Sequence, residues 1–286
     1  MKLLLSLILL SVYLFSADAF ISSDFLKKNL DQKNIVILDT ADMETFNKSH
    51  IPNAQQIEIS KFRHQVGLYQ LINTSKEIEK VARDLGINND SYVVIYGHNK
   101  EKELLKASYI ALALIANGLE NVSILNGGYG DWLYENEELI STKTIVPKSG
   151  NFIAKFNPNI LVDIEYVKDH LGKTPMIEAR PLKYFNGSEQ SKGVKRVGHI
   201  TGAQSSFWLD KFNADETLKS DKELSKIFYT DHKLDKNKEV IAYCTGGLEA
   251  SMNWYILNNY LKFKDVKIYD ASMKQWGNLD NTPMQK

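Results

Sequence analysis

Short runs rich in Val and Ile alternate along this chain with longer stretches of helical period. Ile35-Val36-Ile37-Leu38-Asp39 is an unbroken apolar run ended by a carboxylate, the pattern of a strand buried on both faces. A turn, Ser49-His50-Ile51-Pro52-Asn53-Ala54, leads to a second short strand at 56–59. A helix is expected at 75–85, with Ser75 as its N-cap and Gly86 as its stop. A strand at 92–96, a helix at 102–117 ended by Gly118, and a strand at 122–125 running into Gly127 and Gly128 complete the series. The same order then recurs: strand 176–180, turn 198–203, helix 222–228, strand 239–243, helix 250–261, strand 266–270. Strands alternating with helices predict an α/β class, and the repetition predicts two similar domains in tandem, each a parallel sheet flanked by helices. The first domain is placed at 20–140 and the second at 160–286. The linker at 141–159 holds Pro147, Gly150 and Pro158 and lacks a helical period.

The first nineteen residues follow another rule. Met1-Lys2, the apolar run 3–15 and Ser16-Ala17-Asp18-Ala19 predict a secretory signal peptide cut after Ala19, and so a periplasmic or secreted protein. The apolar run is shorter than the ~20 residues that span a bilayer, so stable membrane insertion is not expected. Lys+Arg and Asp+Glu number 35 each and are interspersed, which gives no support for a nucleic-acid partner. A single cysteine excludes an internal disulfide. A lone thiol in an exported chain is unusual, because oxidising compartments consume free thiols, and this directs attention to Cys244.

Cys244 lies between the apolar run Val240-Ile241-Ala242-Tyr243 and the loop Thr245, Gly246, Gly247, Leu248, Glu249, after which a helix is expected. A strand ending in a glycine-bearing turn, with a helix beyond, points backbone N–H groups and the positive end of a helix dipole at the sulfur. Such surroundings favour the thiolate, the nucleophilic form. The competing reading makes Cys244 a small buried hydrophobe. The repeat sets Gly97 opposite Cys244, so the first domain lacks the thiol and its loop is charged instead. Any cysteine chemistry is therefore expected in the second domain.

Taken together, His-Ile-Pro-x-Ala at 50–54, Gly-His-Ile-x-Gly-Ala at 198–203, Ala179-Arg180, Tyr-Cys-x-x-Gly at 243–247, and Tyr269-Asp270-Ala271-Ser272 with Trp276-Gly277 resemble the tandem rhodanese-like sulfurtransferases of the thiosulfate and 3-mercaptopyruvate types. The resemblance implies that Cys244 takes a sulfane sulfur from a small anionic donor, forms a persulfide and passes the sulfur to a thiophilic acceptor such as cyanide, a thiol or a protein thiol. It implies no metal and no organic cofactor. It also points to Arg180 as a donor-binding cation, with a pair to Glu178 as the alternative, and to His50 as a proton carrier, with a turn role as the alternative. Lys195 and Arg196 read as a solvated loop, His199 as the second copy of the His50 turn, and Trp276 as core packing.

The loop departs from both types. It has no basic residue, and Gly246 stands where mercaptopyruvate-type members tend to carry serine. Glu249 facing inward would disfavour a dianion. The cysteine-loop phosphatases and arsenate reductases want an arginine six places after the cysteine, and residue 250 is Ala. A non-enzymatic persulfide carrier serving a membrane-bound partner is the other reading.

Overall fold

The computed structural model describes residues 17–98 and 101–286; most of the expected signal peptide lies outside them. The first domain runs β1 (Phe20–Ile21), α1 (Ser23–Asn29), β2 (Ile35–Asp39), α2 (Met43–Lys48), β3 (Ala54–Gln56), β4 (Arg63–Val66), β5 (Tyr69–Ile72), α3 (Ser75–Asp84), β6 (Tyr92–Tyr96), α4 (Glu101–Ala116), β7 (Val122–Leu125) and α5 (Gly128–Asn136). The second runs α6 (Ile164–Asp169), β8 (Met176–Glu178), α7 (Leu182–Phe185), β9 (His199–Ile200), β10 (Gln204–Ser205), α8 (Asp221–Ser225), β11 (Glu239–Tyr243), α9 (Leu248–Tyr255), β12 (Asp265–Ile268), α10 (Ser272–Trp276) and β13 (Met284–Gln285).

Each domain is built on a parallel sheet, ordered β1-β7-β6-β2-β3 in the first and β10-β8-β11-β12 in the second. The two orders superimpose, β2 on β8 and β6 on β11. Even β1 has a counterpart, since Leu161 bridges Ile268 in parallel just before α6. The central strands are apolar apart from acids at their ends, Asp39, Glu178 and Glu239, because helices cover both of their faces. Residues 142–157 form neither helix nor strand and lie back on the first domain, with Gly150 N–H donating to Arg83 and Lys155 N–H to Asn117.

Several local expectations shift. Helix α3 is capped by Thr74, not Ser75, because Glu77 stands three residues after Thr74 and closes a capping box. The strand expected at 56–59 ends at Gln56. The helices expected at 222–228 and 250–261 each break into a wider π turn, at Lys226–Asp231 and Ile256–Tyr260. The hairpin β4–β5 was not foreseen; Gly67, at φ 54°, makes its tight turn.

Helix α4 is buried nearly all round because it packs against α9 of the other domain, where Ser108 and Ser251 share a hydrogen bond of 2.8 Å between hydroxyls. The domains also hold each other by matching contacts. Ile72 N–H of the first domain donates to Asp270 of the second (2.9 Å), and Leu218 N–H of the second donates to Asn126 of the first (2.7 Å). One apolar cluster therefore runs through both domains and includes Cys244.

Candidate active site

Cys244 follows β11 directly and is fully buried. Its sulfur sits at the start of α9, where Gly247 N–H points at it from 3.1 Å. Gly247 has φ 90°, and a Cβ there would lie 2.0 Å from Asp270 Oδ1, so only glycine fits. The loop is tied down by α10 and the residues before it: Cys244 N–H donates to Ser272 Oγ (3.0 Å), Met273 N–H to the Cys244 carbonyl (3.1 Å) and Lys274 N–H to the Thr245 carbonyl (2.9 Å). From the first domain, Arg63 Nη2 donates to the Gly246 carbonyl at 2.8 Å. Ser191 and Thr245 hydroxyls lie 3.4 Å apart on the remaining side.

The resting thiol differs from expectation. Loop N–H groups of Gly246 and Ala250 do favour the thiolate, but burial pushes the Cys244 thiol well up, and the nearby Glu249 carboxylate adds to the rise. Removing the sulfur from water outweighs the loop dipoles. Glu249 is near enough to raise the thiol, and it is half-exposed like Thr245, Gly246 and Leu248.

Two other expectations are corrected. Arg180 is 1 % exposed; its Nε is paired with Glu178, and its Nη2 donates to the Gly198 carbonyl at 2.8 Å. Glu178 in turn accepts from Tyr243 OH at 2.9 Å. Arg180 is committed to the strand end, which is the pairing with Glu178 held as its alternative. His50 is buried and stacked on Phe46, with Nδ1 against the Phe46 carbonyl (2.8 Å) and Nε2 against the Lys143 carbonyl (3.3 Å), so the turn occupies both ring nitrogens. His199 repeats this arrangement on Phe185. Lys195 pairs with the exposed Asp280, Arg196 holds the Trp276 and Thr282 carbonyls, and Trp276 is buried with its indole N–H on the Pro283 carbonyl.

Sequence reasoning missed Arg63, Tyr109 and Lys274. Tyr109 OH donates to Asp270 (2.9 Å), and the Lys274 side chain lies against Gly246. Among the described residues no group of three or more His, Cys, Asp or Glu is arranged to hold a metal. No described helix is long and apolar enough to cross a membrane.

The family model for the rhodanese-like domain matches this chain twice, at residues 22–135 and 163–279. The chain belongs to the rhodanese family. Over 90 % of its length it is 30 % identical to the sulfur carrier protein TtuD of Thermus thermophilus, of which it covers 92 %. A Mycolicibacterium smegmatis protein named "Putative thiosulfate sulfurtransferase" is 29 % identical over 88 % of this chain and 92 % of its own. The crystal structure of the Escherichia coli protein SseA, described among 3-mercaptopyruvate sulfotransferases, superposes with a TM-score of 0.77 at 26 % identity, covering 90 % of this chain and 99 % of that one. The two rhodanese domains coincide with the two sheets, and Cys244 lies in the second.

Proposed function

We propose that this rhodanese is a sulfurtransferase that moves a sulfane sulfur from an anionic donor, thiosulfate or 3-mercaptopyruvate, through a Cys244 persulfide to cyanide or a thiol. The observation that carries the reading is the sulfur at the start of α9 with Gly247 N–H aimed at it from 3.1 Å. With thiosulfate, the Cys244 thiolate attacks the outer sulfur. The new S–S bond forms as the bond to the sulfonate breaks, and sulfite leaves with the electron pair. The product is an anionic persulfide, whose charge the loop N–H groups offset. Cyanide then takes the outer sulfur as thiocyanate and returns the thiolate. The buried resting thiol becomes reactive once its proton is lost, so the donor-free protein is expected to react slowly with a thiol-alkylating reagent.

Mass spectrometry of the purified protein after each donor tests this. A gain of one sulfur atom on Cys244, removed by cyanide, is expected; no gain with any donor sinks the reading. The name of the Thermus thermophilus relative favours a second reading, a carrier that hands over one sulfur per loading. Steady-state thiocyanate production separates the two, since a carrier with no affinity for small acceptors gives none. We further propose that the protein acts in the periplasm or outside the cell; N-terminal sequencing of the exported form, expected to begin at Phe20, checks it.

A further inference from the structure

The proposed donors are anions, and the loop around Cys244 carries no cation. Arg180, the cation expected from the sequence, is spent on Glu178. Two other basic residues converge on the outer side of the loop, one from each domain. Arg63 comes from β4 of the first domain and reaches across to the Gly246 carbonyl with Nη2. Its guanidinium lies over the Tyr109 ring, 4.6 Å from the centroid, and Arg63 is only 8 % exposed. Its Nε is buried with no hydrogen-bond partner, and no ion pair with any described residue neutralises it. Asp270 attracts it, but no ion pair joins the two. A guanidinium withdrawn from water without a contacting anion is costly unless something supplies that anion.

Lys274 approaches from the second domain. Its Cδ lies 3.4 Å, and its Cε 3.9 Å, from where a Cβ of Gly246 would stand, and Cε is 3.8 Å from the same point at Gly193. The stem of Lys274 therefore runs along the loop, and among the described residues no hydrogen bond or ion pair holds its ammonium. Gly246 has no side chain, and the Lys274 stem packs where one would stand, while Arg63 holds the Gly246 carbonyl from the other domain. The place equivalent to Arg63 in the second domain tells the same story from the other side. There the residue after the capping phenylalanine is Asn213, whose amide is satisfied locally by Thr217 Oγ1 at 3.0 Å. The cation stands only where it faces the cysteine.

We propose that Arg63 and Lys274 bind the anionic end of the sulfur donor above Gly246, so that donor recognition spans both domains. This rests on the sulfurtransferase reading for its substrate, and the test separates the two. In Cys244→Ser protein, which cannot take sulfur, thiosulfate binding is measured by calorimetry with Lys274 intact and with Lys274→Gln added. Lys274 is half-exposed, so its replacement leaves the fold undisturbed. An increase in Kd of about tenfold is expected, with Lys274→Arg restoring affinity, because a charge-assisted contact is lost and regained. In the protein with Cys244 intact, Lys274→Gln and Arg63→Lys should each raise the KM for thiosulfate. The KM for thiosulfate should rise by a larger factor than the rate at which a persulfide preloaded from polysulfide passes sulfur to cyanide falls. Unchanged Kd and KM in Lys274→Gln, in protein that still acquires sulfur, overturn the clamp and leave the Cys244 reading standing. Thiosulfate binding that depends on Lys274, in protein that never acquires sulfur from any donor, upholds the clamp and overturns the Cys244 reading.

Discussion

The two domains use one frame and finish it differently. In each, the strand before the loop ends in a tyrosine whose hydroxyl accepts from the turn, Ile51 N–H on Tyr96 (3.0 Å) and Ile200 N–H on Tyr243 (3.1 Å). In each, an acid ends the neighbouring strand, Asp39 or Glu178. The first domain fills the loop with its own side chains: His98 pairs with Asp39 at 2.8 Å, and Glu103 accepts from His98 N–H at 2.6 Å. The second keeps its acid occupied with Arg180 and leaves a loop N–H for sulfur. A loop built to receive an anion is thus satisfied internally in one domain and left for a thiol in the other. The difference lies in side chains, because the backbone plan is shared.

The largest expected effect breaks that comparison outright. Cys244→Ser should abolish sulfur transfer, by more than about a thousandfold in kcat/KM, since a hydroxyl forms no persulfide. Adding Gly97→Cys to that variant should restore nothing, because a Cβ at 97 would lie 2.6 Å from Glu103 Cβ and the loop N–H is already taken. Thiocyanate production in the double variant checks both statements. Recovery of activity there would mean that the first-domain loop is open after all.

Gly247→Ala is next. The new methyl would strike Asp270 Oδ1 in a backbone conformation that alanine resists, so a loss of roughly 2–4 kcal/mol in stability is expected, read from urea denaturation midpoints. Gly202, also at positive φ but with nothing within 4 Å of its Cβ position, serves as the control; it should show strain without collision and a smaller loss.

Much of this frame was legible because its signals are local. The strands Ile35–Asp39, Tyr92–Tyr96 and Glu239–Tyr243 are apolar runs with turn residues at their ends, and the turns at His50 and His199 repeat. Cys244 was conspicuous as a lone thiol ahead of a glycine pair. The hairpin carrying Arg63 was not read, since Arg63-His64-Gln65-Val66-Gly67-Leu68 is mostly polar and only Gly67 marks its turn. Arg63 and Lys274 matter through contacts across 183 and 28 residues of chain, respectively to Gly246, and periodicity is blind to such distances. Arg180 was misplaced for the opposite reason. Its position at a strand end suggested the cleft, but its nearest acid, Glu178, lies on the same strand and claims it.

Glu249 sharpens the comparison by a smaller amount. The first-domain loop uses a carboxylate to take a backbone N–H, whereas Glu249 lies near the sulfur and holds its thiol form. Glu249→Gln should move the pH midpoint of Cys244 alkylation downward by about one unit, a tenfold faster reaction at fixed pH below it. Iodoacetamide labelling across a pH series measures this, with the fully unfolded protein as reference. A midpoint that stays in place would show that burial alone sets the thiol.

The smallest effect on transfer, and the most direct test of the matched domain contacts, lies at Asp270 and Asn126. Both accept a backbone N–H from the other domain, but only Asp270 can titrate. Burial raises its carboxyl from 3.8 to about 6, against the pull of Arg63, Ile72 N–H and Tyr109 OH. The folded protein therefore holds this proton more tightly than the unfolded chain does. Between about pH 4 and pH 6 the native state binds more protons, so this group's contribution to stability falls as pH rises through that window and stays low above it. A shift of that size corresponds to roughly 3 kcal/mol across the window. Asp270→Asn copies the first-domain residue and removes the titration, so the wild type should lose stability relative to the variant on going from pH 4 to pH 7. His232, which burial lowers to about 4, contributes in the opposite sense but equally in both proteins, and cancels in the difference. Denaturant midpoints at four pH values suffice, and parallel curves for the two proteins would show that the two contacts are electrostatically equivalent.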